Sequence, residues 1–191
     1  MGGQADRNVA DLVDAPKPQR TIMSVVPLEH LQDFLAQADQ TRIGPLVRLA
    51  IWTGMQRGEL LGLIWGDVDL ERAVITVQRA RVRVDGEDII KAPKTSGSRR
   101  RIPLPSQAVK MLAAIKGNAT ADQPVFDLAS PSAVSHQFQD LATRTGHKGL
   151  RFHDLRHTHA TLLLQQDVSA KVVQERLATA PFPRRSTSTP T

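Results

Sequence analysis

The sequence contains no cysteine and no tyrosine among its 191 residues. The lack of cysteine excludes disulfides, thiolate metal ligands and a cysteine nucleophile, and it suits a cytoplasmic protein. The lack of tyrosine removes one of the side chains that form covalent intermediates in enzymes. Its absence therefore limits the covalent chemistry that this chain can perform.

Long apolar stretches are also missing. No run of about 18 apolar residues is present, so no membrane span is predicted. Residues 1–14 are polar and lack the apolar centre of a secretory signal. Apolar residues make up 40% and charged residues 23% of the chain, which is typical of a globular domain. We expect a cytoplasmic protein.

Positive charge exceeds negative charge and is concentrated in one segment. The chain has 25 Lys and Arg against 19 Asp and Glu, a net charge of +6. Residues 79–101 hold eight basic and three acidic residues, which gives that segment +5. A basic cluster of this kind favours a polyanionic partner such as double-stranded DNA. The alternative is a solvated basic face of a sheet.

The apolar pattern predicts a mainly α domain with a small inserted three-stranded antiparallel β-sheet, an α+β fold. Strands are expected over residues 74–84, 89–92 and 101–104, with the basic cluster on this sheet and its turns. Residues 1–23 are interpreted as a linker remnant, 24–177 as the domain and 178–191 as a disordered, aberrant tail. Helices are predicted around residues 28–38, 43–52, 59–63, 107–115, 131–144, 152–165 and 169–177.

One predicted helix carries a set of side chains suited to phosphate. His153 and Arg156 are three residues apart and share a helical face. The guanidinium can bind two phosphate oxygens, and the imidazole can move a proton near neutral pH. His153 and His157 also suggest a metal pair, but His159 is off that face and no carboxylate converges on it. We therefore expect no metal at these histidines, and core packing for His159.

Three segments resemble the catalytic domain of tyrosine recombinases, the phage-type integrases. They are TGMQRGELLGLIWGDVDL (53–70), KAPKTSGSRRRIPLP (91–105) and LRFHDLRHTHATLLL (150–164), the last continuing to KVVQERL (171–177). The resemblance implies site-specific DNA integration and recombination for a mobile element. In that family a tyrosine attacks a DNA phosphodiester, and the product is a 3′-phosphotyrosyl link and a free 5′-hydroxyl. The resemblance implies no metal and no nucleotide cofactor, and it implies a protein of the bacterial cytoplasm.

The resemblance also implies roles for individual residues. His153 matches the first catalytic histidine, Arg156 the second arginine, Lys94 the hairpin lysine and Glu59 the acidic residue that supports the first arginine. Gln56 stands where the first arginine is expected. Arg57 comes one residue later, about 100° further round a helix, and so should point elsewhere. The predicted DNA contacts are Arg57, Lys94, Arg99, Arg100, Arg101, Arg156 and His157.

The resemblance ends at Leu177. The second histidine and the tyrosine expected beyond it are absent, and nothing positions Ser188 as a substitute nucleophile. We therefore expect a truncated recombinase domain that is inactive in strand transfer. The family assembles as a tetramer on DNA, whereas this chain is expected to be a monomer. Two alternatives stay open: a non-catalytic DNA-binding protein that competes with an intact recombinase, and a non-functional remnant that folds poorly.

Overall fold

The computed structural model describes residues 25–91 and 100–177. The predicted linker remnant, Lys94, Arg99 and the predicted tail with Ser188 lie outside these residues. The described elements are α1 Leu28–Asp39, α2 Gly44–Thr53, α3 Arg57–Leu61, β1 Val68–Asp69, β2 Val74–Val77, β3 Ala80–Val84, β4 Glu87–Lys91, β5 Arg100–Pro103, α4 Ser106–Lys116, α5 Pro131–Arg144, α6 Asp154–Gln165 and α7 Ala170–Leu177. The predicted α+β fold class is confirmed.

Apart from a small separate cluster between α6 and α7 (Ala160, Leu163, Val173 and Leu177), the helices turn their apolar stripes into one large apolar core. Phe34 of α1, Leu49 of α2, Phe138 of α5 and Leu155 of α6 are all fully buried in it. Local signals set several helix ends. In α5, for example, Pro131 occupies the first turn and the N–H of Ala133 donates to Ser130 Oγ at 3.1 Å. None of the described helices is long and apolar enough to span a membrane.

The strands form two small antiparallel sheets, and the predicted single sheet is wrong in this detail. β1, β2 and β5 make a three-stranded sheet in the order β1-β2-β5, while β3 and β4 form a separate hairpin. β2 pairs directly with β5, with Val77 opposite Arg100. The basic cluster is therefore divided between the two sheets. Arg81, Arg83 and Lys91 are on the hairpin, and Arg100 and Arg101 are on β5.

A buried carboxylate explains the break between β2 and β3. Asp67 lies in a 3-10 turn over Trp65–Asp67, and its side chain accepts hydrogen bonds from Gln78 Nε2 at 3.0 Å and from Arg79. These bonds anchor the two residues after β2, so the chain leaves the first sheet there. β3 then packs against α3, where a Cβ on Gly62 would lie 3.0 Å from the Ala80 Cα.

Candidate functional site

The start of α6 is held by a buried acidic residue. Asp154 is 1% exposed and accepts the backbone N–H of Arg151 at 2.8 Å and the Arg151 guanidinium at 3.0 Å. Burial opposes ionisation of Asp154, but the hydrogen bonds and charge of Arg151 outweigh it and lower the pKa of that carboxyl. A carboxylate also suits the positive end of the helix dipole. The helix therefore begins at a defined point, with His153 exposed just before it.

Arg156 lies in the first turn of α6 and is 4% exposed. Its Nη1 donates to the carbonyl oxygen of Gly54 at 2.8 Å. Gly54 ends α2 in the left-handed region at φ +65°, where a Cβ would approach Leu177 to 2.5 Å and His159 to 2.6 Å. Only glycine avoids both the strained backbone and these collisions. The tight packing of α2, α6 and α7 therefore holds the Arg156 guanidinium at the end of α2.

Glu59 of α3 connects this region to β5. Its carboxylate accepts Arg100 Nη1 at 2.7 Å and Nη2 at 2.8 Å, and both side chains are only 13% exposed. The same carboxylate accepts the backbone N–H of Gln56 at 2.8 Å. A two-bond arginine–carboxylate pair has a restricted geometry. Glu59 thus fixes the Arg100 guanidinium next to the start of α3.

Arg156, Arg100 and Glu59 form one electrostatic cluster, called here the guanidinium cluster. Burial, and after it the charge of Arg100, lower the pKa of Arg156 to about 10, while Glu59 acts in the opposite direction. Arg156 therefore stays protonated at neutral pH. With two guanidinium groups and one carboxylate, the cluster carries an excess positive charge.

The histidines of α6 occupy different environments. His153 is exposed, and its ring lies 5.6 Å from the half-buried ring of His157 in an edge-to-face arrangement. Burial, followed by the charge of His153, lowers the pKa of His157. His159 is buried, as expected, and its Nδ1 lies 2.8 Å from the carbonyl oxygen of Ile51. His153 is thus the member of the three that solvent and a ligand can reach most readily.

A groove of about 570 Å³ runs from His153 along α3, β3 and α5. No acidic residue occurs among the described residues that line it. Its polar and charged lining includes Gln56, Arg57, Arg81, Arg83, Arg151 and His153. An open surface with this lining suits an extended anion better than a small apolar ligand.

The structure brings together some of the predicted site residues and separates others. Glu59, Arg100 and Arg156 meet in the guanidinium cluster, with Gln56 beside them. Arg57 instead donates to Ser135 Oγ of α5, while Arg101 is exposed on β5. Sequence reasoning missed the link between Glu59 and Arg100. The two residues are 41 positions apart, and no local pattern connects them.

The described residues contain no group of three or more His, Cys, Asp or Glu side chains placed to hold a metal ion.

The fold and the site are those of a mainly α domain suited to binding an anion. A buried arginine and an exposed histidine lie on one helix, and the histidine lines a groove that also contains arginines. The sequence profile of the phage integrase family matches residues 24–180. The chain therefore belongs to the phage integrase family, and the resemblance seen in the sequence is confirmed.

Individual relatives agree with this assignment. A tyrosine recombinase XerC-like protein of Caldanaerobacter subterraneus subsp. tengcongensis is 31% identical over 164 residues, which cover 71% of this chain and 42% of the relative. The ICEBs1 integrase of Bacillus subtilis is 27% identical over 191 residues, 90% of this chain and 51% of the relative. The chain thus spans about half the length of these curated relatives.

Solved structures share the fold. The Tn1549 transposon integrase, solved in complex with transposon right end DNA, has a TM-score of 0.75 at 19% identity and covers 92% of this chain and 63% of that one. The XerA recombinase has a TM-score of 0.66 at 22% identity and covers 87% of this chain and 59% of that one.

Proposed function

We propose that this chain is the DNA-binding catalytic domain of a site-specific tyrosine recombinase and that, by itself, it binds duplex DNA without cleaving it. Residues 24–177 are the proposed domain. The observation that carries the proposal is Arg156, a buried guanidinium with one nitrogen on Gly54 and the other, Nη2, without a partner among the described residues. A buried charged donor without a partner is costly unless a ligand satisfies it.

The chemistry of the surroundings supports a phosphate as that ligand. Arg156 would neutralise a non-bridging oxygen, and exposed His153 would hydrogen-bond another and could carry a proton. Arg57 and the other arginines of the groove would contact neighbouring phosphates along the strand. Lys94 is proposed to contact a backbone phosphate. The family resemblance also gives Lys94 the protonation of a leaving oxygen, a step that does not occur while the phosphodiester stays intact.

The absence of tyrosine supports the non-cleaving part of the proposal. With no tyrosine in the 191 residues, this chain cannot form a phosphotyrosyl bond, and the phosphodiester stays intact. A nicked suicide duplex incubated with the protein should yield no covalent adduct on a denaturing gel. An adduct that disappears in a Ser188→Ala variant would show that serine replaces tyrosine and would overturn this part.

The binding part is tested by fluorescence anisotropy with a labelled duplex of mixed sequence. The logarithm of the binding constant should fall linearly with the logarithm of the salt concentration. R156Q should reduce affinity by about tenfold, because a charged hydrogen bond to phosphate is lost. R72Q is the matched control, since Arg72 is an exposed arginine outside the groove. Because R156Q alters a buried residue, the exposed H153A should reproduce a smaller loss without risk to folding.

Equal affinity of R156Q, H153A and R72Q would contradict binding at this site. The large apolar core, in which Phe34, Leu49 and Phe138 are fully buried, favours a folded domain over a remnant that folds poorly. A single cooperative thermal transition is therefore expected. A broad, non-cooperative melt would favour the remnant.

A further inference from the structure

Arg100 is bound by the same carboxylate that accepts the backbone N–H of residue 56, where the family resemblance expects an arginine. The Glu59 carboxylate binds both terminal nitrogens of Arg100 and, through Oε2, also accepts the backbone N–H of Gln56 at 2.8 Å. One carboxylate therefore joins the Arg100 guanidinium to the backbone of residue 56. The family resemblance expects the first phosphate-binding arginine at residue 56 and its acidic support at Glu59. In this chain Glu59 is present, but the arginine that it binds is Arg100 of β5.

The hydrogen bonds of Arg100 leave one donor unused. Nη1 and Nη2 are bound by Glu59, while Nε is buried and has no partner among the described residues. Arg156 has the same character, with Nη1 on Gly54 and Nη2 unpartnered. Buried donors on charged groups rarely stay unsatisfied. Two such donors in one cluster with excess positive charge indicate an anionic ligand between or beside them.

We propose that Arg100 supplies the guanidinium that Gln56 lacks, so that Arg100 and Arg156 together bind one phosphate of the DNA backbone. This inference rests on the proposed DNA-binding function. It assigns Arg100 a role distinct from that of its neighbour Arg101. Adjacent strand residues point to opposite faces, and Arg101 is exposed while Arg100 turns towards Glu59.

The first test compares R100Q with R48Q in the same anisotropy assay. Both substitutions remove one positive charge and a two-bond pair with a carboxylate, because Arg48 binds Asp39 through Nε and Nη2. Arg48 lies on α2 and does not belong to the guanidinium cluster. R100Q should reduce duplex affinity by about tenfold and make the salt dependence shallower by about one phosphate contact. R48Q should change affinity far less and leave the slope unaltered.

The second test is rescue, which a merely structural role of Arg100 would not produce. The double variant Q56R/R100Q places an arginine at residue 56 and leaves Glu59 free to bind it. Affinity and salt slope should return to within about threefold of the starting protein, since the phosphate regains its second charged donor. Circular dichroism and a thermal melt of R100Q and Q56R/R100Q show whether each variant is folded when it is measured.

The outcomes separate this inference from the proposed function. If R100Q binds as the unmodified chain does while R156Q is weakened, Arg100 has no phosphate role and the proposed function stands. If R100Q is weakened but Q56R fails to restore binding, Arg100 does not stand in for the arginine missing at residue 56. If neither R100Q nor R156Q weakens binding, both proposals are wrong.

Discussion

Asp67 and Glu59 both bind an arginine that follows later in the chain, but their surroundings differ. Asp67 is almost fully buried and accepts the N–H of Ile64 at 3.2 Å, the Gln78 amide and Arg79. One carboxylate faces one guanidinium, and no buried side-chain nitrogen or oxygen of this group lacks a partner within the described residues.

Around Glu59 the positive charges outnumber the negative ones. Its carboxylate serves Gln56 and Arg100, and the nearby Arg156 adds a second positive charge. Two buried nitrogens of the cluster have no partner in the described part of the chain. The same ion-pair chemistry therefore has two uses. The satisfied, charge-balanced pair at Asp67 connects elements of the fold, whereas the unsatisfied pair at Glu59, with its excess charge, is the proposed ligand site.

The largest expected effect is at Asp67. D67A leaves Gln78 and Arg79 without their buried acceptor, and we expect it to lower the free energy of unfolding by about 3 kcal/mol or more. Urea denaturation measures this loss. D69N is the control, because Asp69 is an exposed acid paired with exposed Arg72, and it should change stability by less than about 0.5 kcal/mol. A loss in D67A no larger than in D69N would remove the structural role assigned to Asp67.

A smaller loss is expected at Glu59. E59Q removes the negative charge between Arg100 and Arg156 but keeps a hydrogen-bond acceptor, so we expect a loss of about 1–2 kcal/mol. At constant ionic strength, inorganic phosphate should recover part of this loss, because an anion that binds only the folded state stabilises it. Phosphate should not rescue D67A in the same way. Equal recovery in both variants would contradict the distinction between the two carboxylates.

Arg57 binds an uncharged side chain and can be compared with the arginines that bind carboxylates. Its guanidinium donates to the hydroxyl of Ser135, which carries no charge. S135A should therefore lower the free energy of unfolding by about 1 kcal/mol, less than the loss of either carboxylate. S132A, at a neighbouring serine of the groove, is the matched control. A loss in S135A as large as that in D67A would show that the charge of the partner is unimportant.

The smallest effect concerns His147, whose ring lies 5.8 Å from the ring of His30. Burial, and then the charge of His30, lower the pKa of His147. The unfolded chain therefore binds more protons near pH 6, so stability is complete above about pH 6.5 and falls as the pH decreases below it. His157 acts in the same direction. Thermal melts of H147Q should show a weaker fall of Tm with acidification than the unmodified chain, and an unchanged fall would exclude His147 as a contributor.

Local patterns in the sequence were sufficient to predict most of the helices. The bounds of α5 agree with the prediction because Ser130, Pro131 and the apolar spacing all act within one or two turns. The burial of His159 was also predicted. The division of the strands into two sheets was not, because it depends on Asp67 meeting Gln78 and Arg79 around a turn. A strand pattern indicates extended chain but does not select its partner.

The residue types and their periodicities came from the sequence directly: a helical core, a concentration of positive charge, a phosphate-suited histidine and arginine on one helix, and no tyrosine nucleophile. The acceptor that each arginine binds was decided by the packing of the helices and strands. Arg156 reaches Gly54 across 102 positions, and Arg100 rather than Arg57 reaches Glu59. Such pairs form only after α2, α3, β5 and α6 have packed together, because burial then makes each guanidinium take the nearest available acceptor.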